Sequence, residues 1–242
     1  MKDFSHISRL MRADWDRRIA HDYRFWMSDG HVSDEAMWAS GQRDFEIITR
    51  GVDGLSNKTV LDLGCGVGRL LKAASAACGK IIGLDVSGEA LKKARELIGP
   101  RPNLELMHGN GADLQPLADS SIDLVISFAA LSSVPASVIA NYLIEVNRVL
   151  KPGGVFRLQF YLGTEQQTGG EDTLHLRCYG RSNFENAVKA AGFTLRSLDE
   201  LVLPLKVSFK ELGIEAFVAS LEKTERPQLE SEAVEKLLLP SG

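Results

Sequence analysis

The fold of this chain is predicted from the segment Val60-Leu61-Asp62-Leu63-Gly64-Cys65-Gly66-Val67-Gly68-Arg69-Leu70-Leu71. An apolar, β-favouring run leads into a loop with a glycine at every second position, and helix-forming residues follow. Alternate glycines let the backbone turn sharply and let a ligand approach the amide groups. The helix directs its electropositive N-terminus at whatever lies above the loop. This pattern indicates the first strand-to-helix turn of a nucleotide-binding α/β fold.

The glycine spacing excludes two common classes of nucleotide site. A dinucleotide fingerprint requires Gly-x-Gly-x-x-Gly, but Arg69 stands where the third glycine would fall. Counting from Gly66 places Leu71 at that position. A phosphate-binding P-loop requires Gly-Lys-Ser/Thr, which is absent from the sequence. What remains is acidic-x-Gly-x-Gly-x-Gly, which begins at Asp62.

A second acidic residue follows at an informative distance. The run 80–86 predicts the next strand, and Asp85 ends it 21 residues after Gly64. In a doubly wound fold this position places a carboxylate over the ribose hydroxyls of a bound nucleoside. The alternative is that Asp85 only begins the next loop, and its offset from the glycine motif favours the ribose role.

Composition limits the remaining possibilities. The 242 residues are 25% charged and 44% hydrophobic, with a net charge of −4, which is typical of a soluble globular protein and makes nucleic acid an unlikely partner. We find no signal region and no segment of bilayer-spanning length, so we expect a cytoplasmic protein that does not enter membranes. Three cysteines without metal-ligand spacing indicate a reduced setting and no metal site.

At this point the sequence resembles the class I S-adenosylmethionine (SAM)-dependent methyltransferases. The resemblance rests on four features in order: the glycine loop, Asp85, the loop at Asn110, and the Lys-Pro-Gly-Gly turn at 151–154. It implies an α/β fold with a doubly wound seven-strand sheet, mostly parallel with the last strand antiparallel. An N-terminal helical cap or lid (1–54) would belong to the same domain as the SAM-binding core (55–225), followed by a C-terminal tail (226–242).

The resemblance also implies a set of cofactor-binding residues. Asn110 would meet the adenine amino group, with Asp113 as the competitor if the loop is shifted. Arg43 is a candidate partner for the methionine carboxylate, although an ordinary surface arginine is as good a reading. The full predicted set is Arg43, Asp62, Gly64, Cys65, Gly66, Gly68, Asp85, Val86, Asn110, Gly111, Ala112 and Ser127.

The expected activity is methyl transfer to a small-molecule acceptor by in-line displacement. The leaving group of a sulfonium is already activated, so the protein mainly holds the acceptor in a dry cleft, and a base is needed only for a protonated acceptor. His31 and His175 are the candidates for such a base, against the alternative of solvated loop histidines. Two other functions stay open: a SAM-binding regulatory or non-catalytic protein, and a protein or nucleic-acid methyltransferase. The acceptor atom and the oligomeric state are left open.

Overall fold

The computed structural model describes residues 3–27, 33–163, 176–201 and 213–239, which divide into two compact units. We call residues 3–111 with 122–127 the first unit, and residues 112–121 with 128–239 the second unit, in each case for their described parts. The strands of both units are numbered in chain order below.

The first unit holds four parallel strands in the order β3-β2-β1-β4. The apolar side chains of β1, β2 and β4 are buried, as expected for parallel strands covered on both faces, whereas those of the edge strand β3 are half-buried. Its elements are α1 (Ser5–Met27), α2 (Asp34–Ile48), a 3-10 turn (Leu55–Asn57), β1 (Thr59–Leu63), α3 (Leu71–Ala77), β2 (Lys80–Asp85), α4 (Gly88–Ile98), β3 (Leu104–His108) and β4 (Ile122–Ser127).

The second unit holds three strands in the order β5-β7-β6, with β7 antiparallel to both neighbours. Helix α7 packs on α5 and α6, and Val234 and Leu238 of α7 are fully buried. Its elements are a 3-10 turn (Leu131–Ser133), α5 (Ala136–Val149), β5 (Leu150–Gly163), α6 (Arg181–Ala190), β6 (Phe193–Glu200), β7 (Ile214–Lys223) and α7 (Ser231–Leu238).

The strand order of the complete sheet is β3-β2-β1-β4-β5-β7-β6. The order reverses at β1 and β4, which is the topological switch point of a doubly wound sheet. The predicted seven-strand sheet with an antiparallel last strand is therefore confirmed. None of the described helices is long and apolar enough to cross a membrane.

The sequence predicts that Ser33 and Ser87 each cap the helix that follows, and both helix caps are confirmed. The Ser33 hydroxyl accepts a hydrogen bond from the Ala36 amide (3.2 Å) at the start of α2. The Ser87 hydroxyl accepts one from the Ala90 amide (3.0 Å) at the start of α4. Both caps satisfy backbone donors that the first helical turn leaves without partners.

Several element boundaries differ from those predicted. The segment Ser182-Asn183-Phe184-Glu185 has the pattern of a capping box and predicts a helix that opens there, but α6 begins at Arg181 with Gly180 as its N-cap, so this prediction is wrong. The sequence predicts a helix over 68–78, whereas α3 begins only at Leu71, because the preceding residues form the turn that contains Gly68 (φ +85°). The Lys-Pro-Gly-Gly segment is expected to precede the fifth strand, but β5 includes it. The polar, glycine-containing composition of residues 163–175 predicts a loop on the substrate side, and this loop lies outside the described residues after 163.

Candidate functional site

The glycine loop follows β1 in a conformation that requires glycine. Gly64, Gly66 and Gly68 have φ values of +79°, +56° and +85°, in the left-handed region. Space is also restricted: a Cβ at Gly66 would lie 2.5 Å from the sulfur of Met27, and one at Gly68 would overlap the Ile98 side chain. The alternate glycines are thus explained by backbone angle and by close packing together.

Asp85 lies at the end of β2, beside this loop. Its Oδ2 accepts a hydrogen bond from the Gly66 amide (2.8 Å), and its Oδ1 accepts one from the Ser87 amide (2.8 Å). Burial raises the pKa of Asp85, and hydrogen bonds from the backbone amides of Ser87, Gly66 and Val86 act in the opposite direction. An ionised carboxylate only accepts hydrogen bonds, and its two oxygens together offer about four acceptor positions. The Asp85 carboxylate therefore fits the hydroxyl groups of a ribose as an acceptor.

Asp62, at the acidic position of the glycine motif, is buried in β1 with 3% of its surface exposed. The pKa of Asp62 is raised to about 7, chiefly by burial, with the charge of Arg69 acting in the opposite direction and the charge of Asp85 in the same direction. A buried carboxyl of this kind is stabilised in its ionised form by a nearby cation. The ammonium group of a methionine moiety has the required charge.

The structure places a second arginine, Arg69, in the turn of the glycine loop, while the predicted contact of Arg43 with the cofactor stays a prediction. The guanidinium of Arg69 pairs with Asp44 of α2, and the side chains of Arg69 and Asp44 are 11% and 7% exposed. Arg43 is half-exposed and contacts the same carboxylate from its outer side, with 3.1 Å between Nε and Oδ1. The signal for Arg69 was present in the sequence, where it replaces the third glycine of a dinucleotide motif.

Helix α1 contacts the loops that follow β2 and β3. The Ser87 hydroxyl donates a hydrogen bond to Asp16 (2.6 Å), and the Glu89 amide donates one to the same oxygen (3.2 Å). A Cβ at Gly111 would lie 2.9 Å from the terminal methyl of Met11. These contacts join residues more than seventy positions apart, and no local sequence pattern indicates them.

The two candidates for adenine recognition have different surroundings. Asn110 follows β3 and is exposed in the first unit. Asp113, in the second unit, accepts a hydrogen bond from the Gln115 amide (3.1 Å) within its own turn. The carbonyl oxygen of Ala112 accepts one from Asn141 (2.8 Å). Asp113 thus has a structural role in its own turn, and the choice between Asn110 and Asp113 for adenine stays a prediction.

Three other predicted cofactor residues are accounted for locally. Ser127 is fully buried, and its hydroxyl donates a hydrogen bond to the Leu63 carbonyl (2.9 Å). The Val86 carbonyl lies 3.0 Å from Nε2 of His108. Burial raises the pKa of the Cys65 thiol well above its usual value, which disfavours the thiolate form.

The predicted candidates for a catalytic base, His31 and His175, lie outside the described residues. Among the residues that the structure describes, no group of three or more His, Cys, Asp or Glu side chains is arranged to hold a metal ion.

Comparison with known proteins agrees with this geometry. Residues 61–158 match the family model described as "Methyltransferase domain". A demethylmenaquinone methyltransferase of Staphylococcus aureus is 38% identical over 98 residues, which is 39% of this chain and 39% of that protein. The chain therefore matches well under half the length of such curated relatives.

Two solved structures share the fold. The phosphoethanolamine N-methyltransferase 1 of Haemonchus contortus, in complex with S-adenosylhomocysteine, aligns over 98% of this chain and 54% of its own (TM-score 0.70, 16% identity). The geranyl diphosphate C-methyltransferase of Streptomyces coelicolor aligns over 90% of this chain and 98% of its own (TM-score 0.66, 13% identity). The fold is that of the class I SAM-dependent methyltransferases, and residues 61–158 are this chain's match to the methyltransferase domain family.

Proposed function

We propose that the protein is a SAM-dependent methyltransferase that acts on a small-molecule acceptor. The observation that carries the proposal is an arrangement in the first unit. The glycine loop follows β1, the buried Asp62 lies in β1, and the Asp85 carboxylate at the end of β2 accepts a hydrogen bond from the loop. Asp85 would bind the ribose hydroxyls, Asn110 the adenine, and Asp62 the ammonium of the methionine moiety. The amides of the glycine loop would line the remainder of the cofactor.

The cofactor, when bound, supplies a methyl group on a positively charged sulfur. Held by the glycine loop, Asp62 and Asp85, SAM would supply the methyl group to the acceptor nucleophile, the electron pair of the carbon–sulfur bond would remain on the sulfur, and any proton lost by the acceptor would pass to water. The chain's own contribution is to align the two reactants and exclude water. Because the acceptor supplies the nucleophile, this proposal requires no catalytic dyad.

For the acceptor, we propose a reduced quinone that lacks a ring methyl group. The support is the match to demethylmenaquinone methyltransferase, which is 38% identical over 98 residues of this chain. The structural relatives named for phosphoethanolamine and geranyl diphosphate support the broader class of small-molecule acceptors.

Calorimetric titration tests the cofactor part of the proposal. We expect SAM and S-adenosylhomocysteine to bind and NAD to bind far more weakly. Asp85→Ala removes the proposed ribose contact and should weaken binding about 30-fold or more, since two charge-assisted hydrogen bonds are lost. Asp85→Asn keeps one acceptor oxygen, so it should weaken binding by less than Asp85→Ala does. Tight NAD binding without SAM binding would refute the proposal.

Methyl transfer itself needs a separate test. The protein is incubated with SAM carrying an isotopically labelled methyl group and a reduced naphthoquinone with a short prenyl chain, and the product is identified by mass spectrometry. A cell extract serves as a source of other acceptors. Cofactor binding without any labelled product would favour the regulatory or non-catalytic alternative over the enzyme.

A further inference from the structure

Gln159 of β5 is a buried polar residue with only half of its hydrogen bonds made within the described structure. Its side chain is 1% exposed. Its Oε1 accepts a hydrogen bond from the Ala129 amide (3.0 Å). Its Nε2 is buried and has no hydrogen-bond partner among the described residues. Within the described structure, both N–H groups of the Gln159 side-chain amide therefore lack an acceptor.

The orientation of this amide is fixed by its neighbour. An exchange of the oxygen and nitrogen positions would place the NH₂ group against the Ala129 amide, which is itself a donor. Nε2 is consequently the atom without a partner. A buried donor left unpaired costs about 1–3 kcal/mol, so such groups in native structures generally meet a ligand or an ordered water.

The loop that Gln159 contacts has its own unusual feature. Ala129 has a φ of +58°, in the left-handed region that disfavours a residue with a Cβ. The same loop is held a few residues further on, where Arg177, itself buried, donates from its backbone amide to the Ser132 carbonyl (2.8 Å) and from its guanidinium to the Ser133 carbonyl. Strained residues held from two sides are typical of ligand sites.

The position of this loop agrees with a substrate site. It follows β4, and ligands of doubly wound sheets bind outside the carboxyl ends of the strands. A donor without a partner matches an oxygen that carries no hydrogen, such as a carbonyl or a phenolate. The buried guanidinium of Arg177, which donates a hydrogen bond to the same loop, favours a neutral or negatively charged ligand over a cation.

We propose that Gln159 is a specificity residue whose Nε2 donates a hydrogen bond to an oxygen of the methyl acceptor. This inference rests on the function proposed above. In a reduced quinone the oxygen would be the phenolate next to the ring carbon that receives the methyl group. Stabilising that oxyanion favours the deprotonated, nucleophilic form of the ring, while Gln159 itself transfers no proton.

Two substitutions separate the donor from the bond to Ala129. Gln159→Glu keeps an oxygen for the Ala129 amide and removes the Nε2 donor, whereas Gln159→Met removes both with little change of volume. With the reduced prenyl-naphthoquinone as probe, we expect either variant to raise the KM about tenfold or more, as for the loss of a hydrogen bond to a charged group. The dissociation constant for S-adenosylhomocysteine, measured by calorimetry, should stay unchanged.

Tyr179 provides a matched control in the same unit. Its hydroxyl is also buried without a partner among the described residues, but its ring stacks on Phe160 (5.2 Å between centroids), the residue next to Gln159 on the strand. Successive side chains point to opposite faces of a sheet, so the Tyr179 ring lies on the other face of β5. Tyr179→Phe should leave the KM for the probe unchanged.

A binding experiment shows whether Gln159 meets the acceptor oxygen itself. The probe diol is compared with the naphthol that lacks one hydroxyl, and the wild-type protein should prefer the diol about tenfold more than Gln159→Met does. Equal preference, or an unchanged KM in both variants, would mean that Nε2 holds only a structural water and would overturn the inference. A wild-type protein that binds SAM but neither binds nor methylates the diol would overturn the quinol acceptor and this role together. If the wild-type protein methylates the diol and the Gln159 variants have the same KM, the role of Gln159 alone would be overturned.

Discussion

Helices α1 and α2 both precede β1 and both pack on the first unit, but they are attached to it in different ways. Gly41 of α2 lies directly against the carbonyl of Arg69, where a Cβ would overlap the oxygen, and Asp44 pairs with the Arg69 guanidinium. Helix α1 is interrupted at Asp22 (φ −164°, ψ 96°), whose carboxylate accepts a hydrogen bond from the Arg24 amide (3.0 Å). Asp22 thus caps a separate short helical segment.

This difference divides the predicted N-terminal cap into two parts. Helix α2 is joined to the glycine loop by a buried ion pair and by backbone contact, so it behaves as part of the core of the unit. Helix α1 is interrupted at Asp22, and its first segment contacts the loops after β2 and β3 through Asp16 and Met11. We predict that only the first segment of α1 acts as a lid. Four experiments sharpen or break this comparison.

The largest expected effect comes from the ion pair of α2. Asp44→Ala leaves the buried Arg69 guanidinium without this carboxylate and should lower the free energy of unfolding by about 3–5 kcal/mol. Arg43→Ala is the matched control, because the half-exposed Arg43 contacts the same carboxylate and should contribute less than about 1 kcal/mol. Urea denaturation measures both, and equal losses would show that α2 is not joined through the buried pair.

The next effect is the pH dependence of stability due to Asp62, which Arg69 influences electrostatically. Native Asp62 keeps its proton up to about pH 7, whereas in the unfolded chain it ionises near its ordinary value of 3.8. The native state therefore binds more protons within this window, and the stability contributed by Asp62 falls as the pH rises through it. Relative to Asp62→Asn, the wild-type protein should lose about 2–3 kcal/mol between about pH 5 and 8. A pH-independent difference would contradict the raised pKa.

A smaller effect is expected when the first segment of α1 is removed. Deleting residues 1–21 leaves Asp22 to cap the remaining segment and keeps α2 intact. We expect a folded protein that binds S-adenosylhomocysteine about tenfold more weakly, since the cleft is less well closed to water. The amides of Gly64 to Gly68 should also exchange hydrogen faster. Unchanged binding together with unchanged exchange would refute the lid.

The smallest effect concerns the link between the two helices. The Tyr23 hydroxyl, just after the break, donates to Asp34 of α2 (2.8 Å), and burial, followed by this bond, raises the pKa of Tyr23 to about 12. Tyr23→Phe should lower the free energy of unfolding by about 1 kcal/mol. In the wild-type protein, absorbance near 295 nm should show Tyr23 ionising well above pH 10. Ionisation of every tyrosine near pH 10 would contradict the buried bond.

Local rules made much of the fold predictable. The glycines at 64, 66 and 68 indicated left-handed backbone, and Ser33 and Ser87 indicated helix starts, because each preference acts within a few residues. The same rules failed at Ser182. That residue has the composition of a capping box, but α6 begins before it at Arg181. Where two starts are locally acceptable, packing of the whole unit selects one.

The SAM cofactor could be predicted from the order of amino acids. A glycine loop after one strand and an acidic residue at the end of the next require only short-range geometry and a parallel sheet. The pairings that complete it join distant positions: Asp44 with Arg69, Asp16 with Ser87, and Gln159 with Ala129. Nothing in the local sequence distinguishes these partners from other acidic, hydroxyl or amide residues. Folding brings them together, and burial then makes each partner necessary, because an unpaired polar group is costly only where water is excluded.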